Sequence, residues 1–361
     1  MTGTPQKAGT TVTAQSTAPA VDPRRAGATR LVDRVFKMRE LAILLVFLVM
    51  IALTQAGNSE FLSEQGIRDL LLNATILVLV ATGQALVVIT RNVDLSVGST
   101  LGISAFAAGN HLQGGGTTGT AIVLAVALGI GCGLLNGALV GLGQVPALVV
   151  TLGTLYVIRG IDSIWVGARQ ITASDLPGGY VDFGSGGISA VPWLALIAFL
   201  VLVAVAYYLR HYGGGRELYA LGSNPEAARL AGIPVRRRIL IAYTVCGALA
   251  GLAGALYLAR FGNVDSATGN GYELTVVSAV VVGGVAFTGG SGSVYGAALG
   301  ALLLTSINSV LPALGVSSVW VLAINGVLLV LAIAVDRVVA LRVARALKKR
   351  AGSNRRSGRL D

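Results

Sequence analysis

The sequence predicts an all-α polytopic membrane protein of about ten transmembrane helices, some of them short or broken. Three observations carry this. Of 361 residues, 54% are hydrophobic and only 12% charged, whereas a water-soluble domain carries about a quarter charged residues. The apolar residues run in long blocks the length of a bilayer, not at the spacing of a water-facing helix. A transmembrane barrel is disfavoured, since its strands would be short and would alternate apolar with polar. The third observation is where the positive charge sits.

Seven basic residues precede Leu41, six lie between Arg210 and Arg238, and nine lie from Arg337 onward, together 22 of 27. Lys and Arg gather on the cytoplasmic flanks of membrane spans. Both termini and the 210–238 loop are therefore expected inside, which requires an even number of spans. The net charge of +11 then calls for no nucleic acid; contact of the basic tails with anionic lipid accounts for it. Residues 1–40 read as a disordered basic cytoplasmic tail, 41–337 as the transmembrane domain, and 338–361 as a basic cytoplasmic C-terminal tail. No cleavable signal is expected, because the first apolar run begins too far from the start.

Ten hydrophobic segments follow in order: 41–57, 70–90, 97–112, 119–141, 146–166, 191–209, 239–259, 274–288, 293–312 and 318–336. About 20 residues cross the hydrocarbon core at 1.5 Å each. Segments 97–112 and 274–288 fall short of that, as expected where helices break around a cavity. Counting from an inside N-terminus places the loop after the sixth segment inside, in agreement with its arginines. The outer loops fit as well. "NSEFLSEQGIRD" (58–69) sets three acids against Arg68, and the long "RQITASDLPGGYVDFGSGGISA" ends just before Trp193, an aromatic suited to the membrane interface.

Glycine, 49 residues, is ordered along several segments. Gly129, Gly133, Gly137 and Gly141 repeat every fourth position, and the pairs Gly247/Gly251 and Gly296/Gly300 repeat the spacing. Such ladders let helix backbones approach closely in lipid, so these positions are read as packing seams. Two faint internal matches, Thr90/Gly98 with Thr288/Gly296 and Asn136/Gly143 with Asn308/Gly315, lie at different offsets, 198 and 172. They hint at a duplication without defining one.

Outside the membrane, "GRELYALGSNPEAARLAGIPVRRR" (215–238) specifies a short helix strongly. Asn224 is a good N-cap and Pro225 suits the first helical position. Glu226 complements the helix dipole. Gly232 fits the left-handed position past the end, and Pro234 prevents resumption. Two turns, roughly 10 Å, are unstable alone in water, so this helix needs a partner surface. That surface is either the protein's own bundle or lipid headgroups, or another protein for which the helix is a docking knob.

No energy source is visible in the chain. Its only lysines are Lys7, Lys37, Lys348 and Lys349, none in a phosphate-loop context. Cys132 and Cys246 sit inside apolar runs, and His111 and His211 fall at segment ends on opposite sides. Neither a metal site nor a catalytic constellation follows from them. The chain reads as a transport subunit, not an enzyme.

"ITRNVDLSVGS" (89–99) puts Arg91 and Asp94 between two apolar runs, with Thr90, Asn92, Ser96 and Ser99 beside them. Charges within a membrane domain face a polar path or pair with each other. Two readings stand together here: these six residues line a translocation path, or Arg91 snorkels to the interface while Asp94 caps the third span. Further along, Arg159 and Asp162 are neighbours on one helix face, and local pairing near the outer surface is expected; a substrate gate is the alternative.

Taken together, three stretches resemble one family. "TRNVDLSVGS" resembles the T-G-G-[IV]-D-L-S-V-G-S motif of ABC permeases for ribose-, xylose- and galactose-type sugars. "GSNPEAARLAGI" resembles their G-x-N-x-x-A-A-R-L-x-G-I motif, and "GGVAFTGGSGSVYGAALGALLL" their G-G-x-x-x-x-G-G-x-G-[ST]-V-x-G-x-x-x-G stretch. The similarity spans about 40–337. Where the family has Gly-Gly this chain has Arg91-Asn92, a form resembling the branch that handles rhamnose and autoinducer-2.

The resemblance implies a type II importer-like permease in a bacterial inner membrane, paired with an identical or paralogous copy. It implies a separate cytoplasmic ATPase that binds ATP and Mg, and a periplasmic or lipid-anchored sugar-binding protein. Asn224, Pro225, Glu226, Ala227, Ala228, Arg229 and Gly232 would form the helix that docks on the ATPase. The expected cargo is a monosaccharide (pentose, hexose or deoxyhexose) or autoinducer-2. The rivals are an ion-gradient carrier using Asp94, and a branched-chain amino-acid permease.

Overall fold

A computed structural model describes residues 41, 43–57, 59–313, 317, 320, 323–331, 333, 334, 337 and 338. The tail assignments, 1–40 and nearly all of 338–361, lie outside these residues, as does part of the tenth segment. The fold is helical: α1 (Ile43–Gly57), α2 (Glu64–Ile89), α3 (Val97–Gln113), α4 (Thr118–Gly137), α5 (Ala147–Val166), α6 (Gly178–Ser185), α7 (Trp193–His211), α8 (Gly213–Ser223), α9 (Pro225–Leu230), α10 (Val235–Phe261), α11 (Tyr272–Val282) and α12 (Val294–Ala313). A π-helical stretch, Ala138–Leu142, continues α4. One two-stranded hairpin pairs Gly187–Ile188 with Val191–Pro192.

Six of these helices, among the described residues, are long and apolar enough to cross a membrane: α2, α4 with its π-turn, α5, α7, α10 and α12. The short segments expected at 97–112 and 274–288 behave differently from each other. The first is helical to its expected ends as α3, 17 residues long. The second is not a span through residue 288, because α11 stops at Val282 after 11 residues. Gly284, Gly289, Gly290 and Gly292 all take positive φ, which a right-handed helix cannot contain, so residues 283–293 fold as turns.

α10 is the axis of the bundle. It runs antiparallel to α2, where Gly83 lies against the Cys246 backbone and Arg260 meets Asp69 at 3.3 Å. It runs antiparallel to α4 and parallel to α3, whose Leu101 carbonyl lies against Gly254. The two glycine ladders meet each other across α4 and α10. A Cβ on Gly129 would collide with the Gly247 carbonyl, one on Gly133 with the Tyr243 carbonyl, and one on Gly251 with the Ala125 carbonyl. Gly137 and Gly141 extend the seam to Leu240 and Arg236. With no side chain between them the backbones close to direct contact, the source of packing attraction where lipid supplies no hydrophobic drive. Gly296 and Gly300 form a second seam, against Gly283 and Ala279.

The packing has an inverted symmetry. α2, a break and α3–α4 are answered by α10, a break and α11–α12, running the opposite way. α4 packs on α10 as α12 packs on α2, and α3 lies along α10 as α11 lies along α2. The 172-residue offset between Asn136 of α4 and Asn308 of α12 follows this relation. The 198-residue offset does not: Thr90 follows α2, whereas Thr288 lies in the turns after α11.

Candidate functional site

At one end of the bundle sits the corner formed by α8 and α9. Asn224 is extended (φ −156, ψ 98), and its Oδ1 accepts from the Ala227 amide at 3.1 Å. Pro225 occupies the first helical position. Glu226 and Arg229 pair at 3.2 Å in solvent, and Gly232 ends the helix at φ +80. Ala228 is buried while Leu230 is 88% exposed. The helix thus sets one side on its own bundle and leaves Glu226, Arg229 and Leu230 facing outward.

Sequence reasoning missed α8, because Gly213, Gly214 and Gly215 open it and glycine is a poor helix former. Arg238 of α10 grips Glu217 of α8 at 2.6 Å. The Tyr219 hydroxyl donates to the Gly292 carbonyl at 3.0 Å. Gly222 admits the Ile89 carbonyl, which also accepts from the Gly290 amide at 2.9 Å. The corner is therefore tied at once to the last residue of α2 and to the turns after α11.

Beside it lies the first break, residues 90–96, where Arg91 and Asp94 part company. Arg91 is exposed, in the left-handed region at φ +68, and its backbone packs against Gly289. Asp94 is 2% exposed. Its Oδ1 accepts from the Ser96 amide at 2.9 Å, the Ser96 hydroxyl at 2.7 Å and Asn136 Nδ2 at 3.3 Å. Ser96 is itself the residue that opens α3, without a side-chain cap. Asp94 therefore shapes the turn into α3 and does not bond the amides of its first turn. Asn136 Nδ2 also donates to Ser96 Oγ at 2.8 Å, and the Ser99 hydroxyl to the Ser96 carbonyl at 2.9 Å. Thr90, Asp94, Ser96 and Ser99 are buried, Asn92 half-buried. Tyr243 of α10 donates to the Val93 carbonyl at 3.0 Å. Asn136 and Tyr243 are participants that sequence alone did not bring to this knot.

The second break, 262–271, was also missed. Its first part pairs Val264 with Ile171. Beyond it the Thr268 carbonyl accepts from Arg159 at 2.6 Å. The expected local pair on α5 is therefore no hydrogen-bonded one: Arg159 stays near enough for its charge to act on Asp162 but bonds this loop, and neither oxygen of fully buried Asp162 has a hydrogen-bond partner among the described residues. Glu273, in the first turn of α11, lies against Gly98 of α3. A hydrophobic window opening at 274 excluded it by one residue.

A family model described as "Branched-chain amino acid transport system / permease component" matches residues 66–333. The chain belongs to this permease family. The permease is 37% identical over 316 residues to the autoinducer 2 import system permease protein LsrC of Enterobacter sp. (strain 638), covering 86% of this chain and 91% of that one. It is 38% identical over 285 residues to LsrC of Salmonella typhimurium, covering 78% and 81%. With LsrC of Escherichia coli O157:H7 the identity is 36% over 301 residues, covering 82% and 86%. The permease is thus the multi-pass inner-membrane transport subunit of an ABC importer, working with a separate ATPase and a substrate-binding partner. That membership sets aside the ion-gradient carrier.

Proposed function

We propose that this permease carries a neutral monosaccharide-like solute into the cell, with autoinducer-2 foremost among candidates and rhamnose next. The three relatives named above are permeases for autoinducer 2 import, and the Arg91-Asn92 form agrees with that branch. Ten spans place both termini and the α8–α9 corner in the cytoplasm, by adding α1, α3, α11 and the 318–336 segment to the six long helices. A second permease, identical or paralogous, completes the path between the two copies. ATP and Mg belong to the ATPase.

The observation that carries the coupling role is the outward face of α9, where Glu226, Arg229 and Leu230 stand clear of a helix otherwise fixed at both ends. Closure of the ATPase pair pushes α9. The push passes through Glu217–Arg238 into α10 and through Gly290–Ile89 into α2. The knot Thr90–Ser99 and Arg91 flank the path and flex with α3. The test is reconstitution with the ATPase and binding protein. Glu226→Lys with Arg229→Glu should abolish solute-stimulated ATP hydrolysis and uptake; unchanged values for both would end the docking assignment. The family's branched-chain amino-acid label supplies the second reading. Uptake of leucine in place of autoinducer-2 by the same vesicles would establish it.

A further inference from the structure

α3 and α11 both begin part-way along the length of α10, not level with its ends. Gly254 of α10 packs against the Leu101 carbonyl and the Ala105 amide, so Gly102 lies level with Gly254. The Thr268 carbonyl closes on Gly102, and Gly269 on Gly98. α10 runs eight residues beyond that level before Gly262 turns the chain. The second break therefore descends about 12 Å back into the bundle before α11 starts. Irregular backbone at such depth survives only inside protein or against a water-filled cavity, since lipid satisfies no backbone group. Here Asn270 and Gly271 are exposed and Leu274 is 55% exposed. Glu273 keeps part of its surface open, while its Oε2 is sealed against Gly98 without a hydrogen-bond partner among the described residues.

We propose that Glu273, carried on this re-entrant loop, lines the water-filled translocation path and accepts hydrogen bonds from the hydroxyls of a neutral polyol as it passes. The assignment deepens the sugar-type reading and rests on it for the solute class. An ionisable group within a membrane domain faces a polar route or a partner, and among the described residues the sealed oxygen of Glu273 has no hydrogen-bond partner. Half-helix N-termini at mid-depth attract a substrate carboxylate in other transporters. At this break the chain's own carboxylate stands beside the starts of both α3 and α11, so an anionic group on the cargo meets repulsion and a hydroxyl meets an acceptor. Arg159, through its bond to the Thr268 carbonyl, positions the loop.

Two arms test this in proteoliposomes holding the permease, its ATPase and its binding protein. In the first, Asn270→Cys is exposed to a small charged, membrane-impermeant thiol reagent, with Phe199→Cys of α7 as the lipid-facing control and the unaltered chain as background. Reaction should be about tenfold faster at position 270 than at position 199, because only a thiol in water ionises readily. Equal rates would overturn the assignment whatever the solute. In the second, uptake of labelled autoinducer-2, ribose, rhamnose and leucine is compared for the native chain, Glu273→Ala and Glu273→Asp, each required to co-elute with the ATPase as the native complex does. Glu273→Ala should lose about tenfold in the rate of hydroxylated solute transport, with Glu273→Asp recovering part of it. Unchanged uptake in Glu273→Ala refutes the role. Should the native chain carry leucine alone while position 270 reacts quickly, the sugar-type reading falls and the water path stands.

Discussion

Arg238 and Glu217 meet at 2.6 Å, joining the first turns of α10 to α8. Their side chains are 20% and 29% exposed, so the pair contributes about 1 kcal/mol or less to stability. Its weight lies in connection. Glu217→Ala should leave the thermal midpoint in detergent nearly unchanged while lowering the number of solutes moved per ATP hydrolysed. The exchange of both charges, Glu217→Arg with Arg238→Glu, should recover much of the ratio. A fall in midpoint with an unchanged ratio would make the pair structural.

The α4–α10 seam predicts a sharp contrast between glycines. Gly247→Leu puts a side chain where the Gly129 carbonyl stands, and no rotamer avoids it. A loss of about 3 kcal/mol or more is expected, read as poor recovery of folded protein and early unfolding. Gly160→Ala, on the open face of α5 with nothing near its Cβ position, should unfold as the native chain does.

Asn136 supplies the long-range donor to buried Asp94 and bonds Ser96 as well. Asn136→Leu should destabilise the permease by about 1–3 kcal/mol, since polar groups left unpaired in the interior bear their full desolvation cost. The double variant Asp94→Asn, Asn136→Asp keeps a donor and acceptor facing each other and should regain part of the loss. A double-mutant cycle on the thermal midpoint decides; additive losses would show the two sites to be uncoupled.

Arg91 holds φ +68, a conformation costing a side-chain-bearing residue about 1–2 kcal/mol. The first glycine of the Gly-Gly that the resembled motif carries at 91–92 has a physical reason in that angle. Arg91→Gly should therefore fold at least as stably as the native chain, and Arg91→Val, β-branched, should be less stable than both. Equal midpoints for glycine and valine would show that the angle relaxes freely.

Much of the site was legible because its signals are local. Asn224, Pro225 and Gly232 specify α9 through capping chemistry that needs only neighbouring residues. The apolar blocks mark the long helices for the same reason, as each 20-residue run must cross or be buried. α8 was hidden by its opening glycines, which give no helical signal until Glu217 and Tyr219 find partners 21 and 73 residues away. Glu273 was hidden by the edge of a hydropathy window, and the turns at 283–293 by apolar residues that read as more span.

Composition and spacing alone thus determined a helical membrane protein, its basic blocks, its capped knob and its glycine seams, since propensity, charge placement and periodicity are properties of adjacent residues. Only the tertiary structure decided that Arg91 and Asp94 separate, that Arg159 hydrogen-bonds a loop and not Asp162, and that the second break meets the first turn of α3 where Gly269 lies against Gly98. Those outcomes turn on which backbones come close enough to touch, and that is settled by helices packing over more than a hundred residues of intervening chain.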